Sequence, residues 1–319
     1  MRFRIVKSIN TIVICLAFIG LLYVVKIFSK LIKFNESASY GNLSKDQRSR
    51  DYGYINITDS SSLPSFIQFD NKYRVAPKQR LLFCAIEKNL STLFNALVCY
   101  LFDNSLFEMN NVSITNNAYE NRLCKSKNEF TKMKAIEKKY ITISDWHYVA
   151  IVRHPIERFI SGFVDKCILE TKRNHIKGKC YGCKSNVTCF IDKQLKRAFK
   201  YAKSRDGFTY EDVHFFPQNW HCEFHTNFKK YHFIKYEESA AFIEDLNIFL
   251  DNLTNISKDS KHTILSEIQS AKTSHSTSGN ELRNHFSNQI YNNNKLLKQL
   301  VEAFYYDFVL FGFDFPLTY

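Results

Sequence analysis

The chain has 319 residues, 45% of them hydrophobic and 24% charged, the ordinary balance of a globular protein. Lysines and arginines outnumber acids 44 to 31, a net charge of +13, so the surface attracts anions. No Arg/Lys-rich tract or RNA-binding signature accompanies that charge, which argues against a nucleic-acid partner.

At the N-terminus, Arg2, Arg4 and Lys7 precede seventeen uncharged residues, Ile9 to Val25. With Lys26 snorkelling, that length just spans a bilayer, and no small-x-small cleavage site follows it. The expected organisation is a cytoplasmic tail over 1–8, a transmembrane signal anchor over 9–28, a luminal stem over 29–75 and a folded luminal domain over 76–319. Eight Asn-x-Ser/Thr sequons, at Asn35, Asn42, Asn56, Asn89, Asn111, Asn186, Asn252 and Asn255, agree with a luminal location. So do the cysteines. Nine are present, and eight remain after Cys15, an even number compatible with disulfides. Cys180-Tyr-Gly-Cys183 resembles half a zinc site, but no second C-x-x-C or His pair follows, so a disulfide-stapled loop is the better reading; its pairing is left open.

The segment that organises the remainder runs from Arg80 to Asp103. Leu81 to Ile86 is a short continuous apolar run, the pattern of a strand buried on both faces. Leu93, Phe94, Leu97, Val98, Leu101 and Phe102 then recur at helical spacing. The loop between them carries Lys88, Asn89, Ser91 and Thr92. Strand, loop and helix in this order aim backbone N–H groups at an anion. The loop has no glycine, so it is no Walker P-loop.

Further on, Tyr140–Ile143 and Tyr148–Val152 read as strands. The second leads into Arg153-His154-Pro155, with Pro155 at the first turn of a helix whose apolar face is Phe159, Ile160, Phe163, Val164, Cys167 and Ile168. Arg153 falls at the carboxyl end of its strand, where open α/β sheets bind ligands. Lys172 to Arg205 is a basic, Cys-containing excursion. His214 lies beside an aromatic pair, His232–Tyr236 is a strand, Ser239–Leu253 an amphipathic helix, Ala271–Gly279 a hydroxyl-rich loop, and Leu296–Phe315 one long apolar helix turning at Gly312.

Two anion-binding units, each after a strand, resemble the Golgi carbohydrate sulfotransferases of the chondroitin 4-O-sulfotransferase-like, nematode-type branch. Ile151 to Phe163 is similar to that family's 3′-phosphate motif, R-H/D-P-x-x-R-x-x-S-x-Y/F. Cys84 to Thr92 is similar to its 5′-phosphosulfate loop, P-K-x-x-x-T, with Glu87 in place of the proline. The resemblance covers about Val75 to Pro316. It implies a P-loop-like three-layer α/β sandwich with a central, mainly parallel sheet. It also implies 3′-phosphoadenosine 5′-phosphosulfate (PAPS) as co-substrate, no metal, and an acidic, chondroitin-like glycan acceptor. Lys88, Asn89, Ser91 and Thr92 then hold the 5′-phosphosulfate, and Arg153 and Ser161 the 3′-phosphate, with Arg158 in support. For the base, His214 is the first choice, with Glu237 and His147 behind it. Two other functions are open to the sequence. One is a luminal glycosyltransferase, disfavoured because no Asp-x-Asp occurs; the other is a non-catalytic glycan-binding member of the same fold, suggested by Glu87.

Overall fold

The computed structural model describes residues 62–117, 119–140, 145–237, 240–270 and 281–316. All of them belong to the second of two compact units into which the chain divides, Asn56–Tyr319. The expected tail and anchor, most of the stem, the Ile141–Ile143 part of a predicted strand and the hydroxyl-rich loop lie outside the described residues. Among the described residues no helix is long and apolar enough to cross a membrane.

Five strands form one mixed sheet: β1 (Tyr73–Ala76), β2 (Leu81–Cys84), β3 (Glu129–Phe130), β4 (His147–Arg153) and β5 (Tyr231–Tyr236), in the order β3-β1-β2-β4-β5. β2, β4 and β5 run parallel, while β1 is antiparallel to both β2 and β3. The parallel part is thus the half that carries the two predicted motifs, as the resemblance implies, and an antiparallel edge completes the sheet. β2 is buried throughout and β4 in all but its first residue, which is why both read as continuous apolar runs.

Helix α1 (Ser91–Phe102) follows β2, and α2 (Pro155–Phe163) follows β4. On one face, Leu81, Phe83, Val149, Ile151 and Ile234 share a core with α1 and with residues of the helices Ala240–Asp251 and Lys258–Ser270. On the other, Phe233 packs against Phe224, Phe228 and Phe311. α2 meets helix α3 (Val187–Ser204) and helix α4 (Tyr210–Phe215) through Phe159, Phe163, Phe190 and Phe215. The aromatic content of the sequence is spent largely on this second layer.

Two expectations need correction. The ordered domain reaches back into the predicted stem: β1 starts at Tyr73, and Leu63, Phe69 and Tyr73 are buried. Phe66 N–H donates to Asn219 Oδ1 and Trp220 Nε1 donates to the Pro64 carbonyl, so this stretch is held by distant partners and shows no local period. The long C-terminal helix is two, Asn294–Ala303 and Tyr305–Phe311, broken at Phe304 and ended by Gly312 at φ 64°. The break lets Asp307 face inward, where it binds the backbone of Gln218 and Asn219.

The eight cysteines pair as Cys84–Cys222, Cys99–Cys124, Cys167–Cys180 and Cys183–Cys189. The two cysteines of the C-x-x-C pair enter different disulfides, one back to Cys167 before the excursion and one forward to Cys189 in the first turn of α3.

Candidate functional site

After Cys84 the chain leaves β2, and Ala85 N–H still donates to the Lys72 carbonyl at 2.8 Å. A turn follows, closed by Asn89 N–H to the Ile86 carbonyl at 3.3 Å. Lys88 and Leu90 take left-handed backbone, φ 68° and 56°, which costs a non-glycine residue about 1 kcal/mol each. Leu90 offers no side-chain cap, so the first N–H groups of α1, beside the half-buried Ser91 and Thr92, have no side chain capping them.

Asn89 is a buried brace. Its amide donates to the Ile151 carbonyl at 2.9 Å and to Gln218 Oε1 at 2.6 Å. A sequon asparagine so enclosed has no room for a glycan, and its side chain points into the β2–β4 junction instead of toward a ligand.

The second motif meets the first here. Gln218 Oε1 also accepts from Arg153 N–H at 2.9 Å, and its amide donates to the Arg153 carbonyl at 2.8 Å. The Arg153 guanidinium lies over the Tyr236 ring, 5.0 Å from its centre, with Nη1 3.4 Å from the Lys88 carbonyl. Arg158 spans both loops: Nε donates to the Glu87 carbonyl at 2.9 Å and Nη1 to the Phe216 carbonyl at 2.8 Å. Its Nη2 is buried and has no acceptor among the described residues. Ser161, buried, sits two turns into α2.

The charges on the loop separate by side. Glu87 is half-buried and pairs with Lys72, whose ammonium also lies 2.7 Å from Asp70. Asp70, Glu87 and His221 bring ligand-type atoms within 4.8 Å of one another, but Lys72 already supplies the positive charge between the two carboxylates. Lys88 turns the other way and meets Asp165 at 2.8 Å. Burial draws its proton affinity down, and the Asp165 charge opposes that.

His214 stands on α4, beside α2. Its Nδ1 is 2.7 Å from the Tyr210 carbonyl. A carbonyl only accepts, so Nδ1 carries the proton of the neutral ring and Nε2 keeps its lone pair. Burial, then the nearby cations Lys166 and Lys88, push its pKa down to about 3. His147 opens β4, at the opposite end of that strand from Arg153. Across six residue steps that is about 20 Å, too far to share a site with Lys88. Glu237 follows β5 and lines a cavity of about 480 Å³ with His154, Lys235, Tyr291 and Asp314.

Gln218, Asp307 and Asp165 are the residues that sequence reasoning passed over. Gln218 lies four residues past His214 with no pattern to mark it. Asp165, two turns past Glu157 and followed by Lys166, could have been noticed as a charge pair on an otherwise apolar helix.

The two motif loops meet at the carboxyl ends of adjacent parallel strands in a mixed α/β fold consistent with that of the sulfotransferases, and sequence comparison agrees. Residues 71–314 match the profile of the Sulfotransferase family, and the chain belongs to that family. It is similar to Carbohydrate sulfotransferase chst-1 of Caenorhabditis elegans, 33% identical over 90% of this chain and 86% of the relative. It is also similar to the uncharacterized C. elegans protein C18B2.2, 34% identical over 82% of this chain and 74% of that one. No solved structure matches the chain. The glycosyltransferase alternative gives way to this family.

Proposed function

We propose that the chain is a carbohydrate O-sulfotransferase that moves a sulfuryl group from PAPS to a sugar hydroxyl of an acidic glycan such as chondroitin. The observation that supports it best is the junction of the two loops, with the Arg153 guanidinium at the Lys88 carbonyl and Gln218 bonded to both Asn89 and Arg153. One small ligand can therefore reach both positive groups. The uncapped start of α1, the left-handed turn at Lys88 and the unpartnered Nη2 of Arg158 fit an anion bound here.

The donor supplies an activated sulfuryl group: its bond to the 5′-phosphate oxygen breaks as a new S–O bond forms to the acceptor hydroxyl. Lys88 and the first N–H groups of α1 stabilise the charge that gathers on the leaving oxygen. Arg153 and Ser161 hold the 3′-phosphate. His214 takes the hydroxyl proton on Nε2. Burial and two lysines keep that ring neutral, and the negative charge of a bound donor offsets those lysines, raising its basicity when it is needed.

By the same reading the protein is a single-pass type II protein of the Golgi membrane, held by residues 9–28, with its catalytic domain in the lumen. Glu87 spends its charge on Lys72, so it does not oppose an anion in the loop, and the non-catalytic alternative loses its motive.

Transfer of radiolabelled sulfate from PAPS by the purified chain, onto a panel of desulfated glycans, tests the proposal. Incorporation into at least one acidic glycan is expected. No incorporation, together with no thermal stabilisation by millimolar 3′-phosphoadenosine 5′-phosphate, would end it.

A further inference from the structure

Lys88 and Asp165 form a buried ion pair, each side chain 9% exposed, with 2.8 Å between Nζ and Oδ2. Asp165 lies on the π turn Val164–Leu169 that continues α2. Such turns are rare and recur at functional sites. The same carboxylate oxygen is 3.2 Å from Lys166 Nζ, and Lys166 is itself 3.6 Å from Glu170. So the carboxylate touches two ammonium groups, one on the anion loop and one on its own turn. An anion arriving at Lys88 meets a negative group already there. Two anions cannot share one buried ammonium without repulsion, whereas Asp165 can keep a counter-charge by staying with Lys166.

We propose that Asp165 is a placeholder for the donor: it holds Lys88 in position and competes with the donor's phosphosulfate, which displaces it toward Lys166. The inference rests on the reading of this loop as the donor site. As a positioning residue, Asp165 opposes ground-state donor binding. Its removal therefore strengthens that binding, a sign that loss of a merely structural contact does not produce.

The test uses the full chain in detergent, with 3′-phosphoadenosine 5′-phosphate as probe, titrated calorimetrically at about pH 6 so that Lys88 keeps its proton when its counter-ion is gone. Asp165→Asn is expected to bind the probe on the order of fivefold more tightly than wild type, as expected when a competing ion pair is removed. Asp165→Ser provides a second, smaller replacement should the amide misfold. Equal or weaker binding by folded variants overturns the proposal, as does failure of both to fold, which would make Asp165 structural. Those outcomes, with wild type binding normally, leave the donor-site reading intact. A wild type that does not bind the probe overturns the donor-site reading, and the inference with it.

Discussion

Glu87 and Lys88 are neighbours in the chain and face opposite ways in the fold. Behind the loop, Glu87 meets Lys72 and Asp70 at the start of β1, near the Cys84–Cys222 disulfide. In front, Lys88 meets Asp165 on a helical turn, with Arg153 at its carbonyl. Both clusters join an ammonium to carboxylates, half-buried at the rear and more enclosed in front. The rear pair sits among covalently tied backbone, while the front pair borrows a carboxylate that has a second partner in Lys166. Similar chemistry thus serves as scaffold on one side and as an exchangeable contact on the other.

That contrast breaks most sharply at Lys88. Lys88→Ala is expected to lower sulfate transfer about a thousandfold, or about 4 kcal/mol, because the lost group acts on charge developing in the transition state. Its neighbour's Glu87→Gln should stay within a few-fold of wild type. Parallel transfer assays decide this, and equal losses would erase the distinction between the two sides.

Gln218→Leu comes next. It leaves the Asn89 amide short of one acceptor and both backbone groups of Arg153 without their partner, at an expected cost of about 3 kcal/mol in stability. Because the two loops lose their bracket, the KM for donor should rise more than kcat falls. Chemical denaturation and steady-state kinetics on the same preparation separate the two effects.

Lys72→Met removes the rear ammonium and should cost about 2 kcal/mol. Burial already raises the pKa of Glu87, and Lys72 opposes that. A carboxylate raised in the folded state destabilises it once pH exceeds the unfolded value, so the variant's deficit should be largest at neutral pH and shrink as acid protonates Glu87. Adding Glu87→Gln should recover much of the loss. Melting temperatures from pH 7 to pH 4 would reveal a pH-independent deficit, if there is one.

The smallest stability effect is expected at Gly162. A Cβ there would lie 2.9 Å from a Phe215 ring carbon, so Gly162→Ala should cost about 1–2 kcal/mol and push on the helix that carries His214. A variant as stable as wild type would mean that α2 and α4 have slack. His214 itself, with its pKa near 3, should add no acid limb to kcat/KM between about pH 7 and pH 5. A wild-type limb near pH 6.5 would remove it as the free-enzyme base.

Much of the parallel half was legible because β2 and β4 are buried on both faces and their residues announce it. The helices after them carry their apolar stripes and, for α2, Pro155 at the first turn. β1 was missed because buried Arg74 reads as polar until Glu129 supplies its partner at 3.4 Å. Lys88 and Arg153 could be singled out because they fall at or just past a strand end, a position that local pattern marks, and Ser161 because it lies two turns into the helix that follows Arg153. The same pattern was silent on Gln218 and Asp307, whose partners lie 65 and 89 residues away, and it marked Asp165 only as the neighbour of Lys166, with Lys88 77 residues off.

What the sequence determined alone was the strand–loop–helix units at β2 and β4, which side chains sit at their tips, and that eight cysteines could pair. Which way Glu87 and Lys88 point, which cysteine finds which, and whether the two tips lie side by side belonged to the tertiary structure. Hydrophobic period and turn chemistry act over a few residues, whereas the partner of a buried charge is set by whatever the folded chain brings within a few ångströms of it.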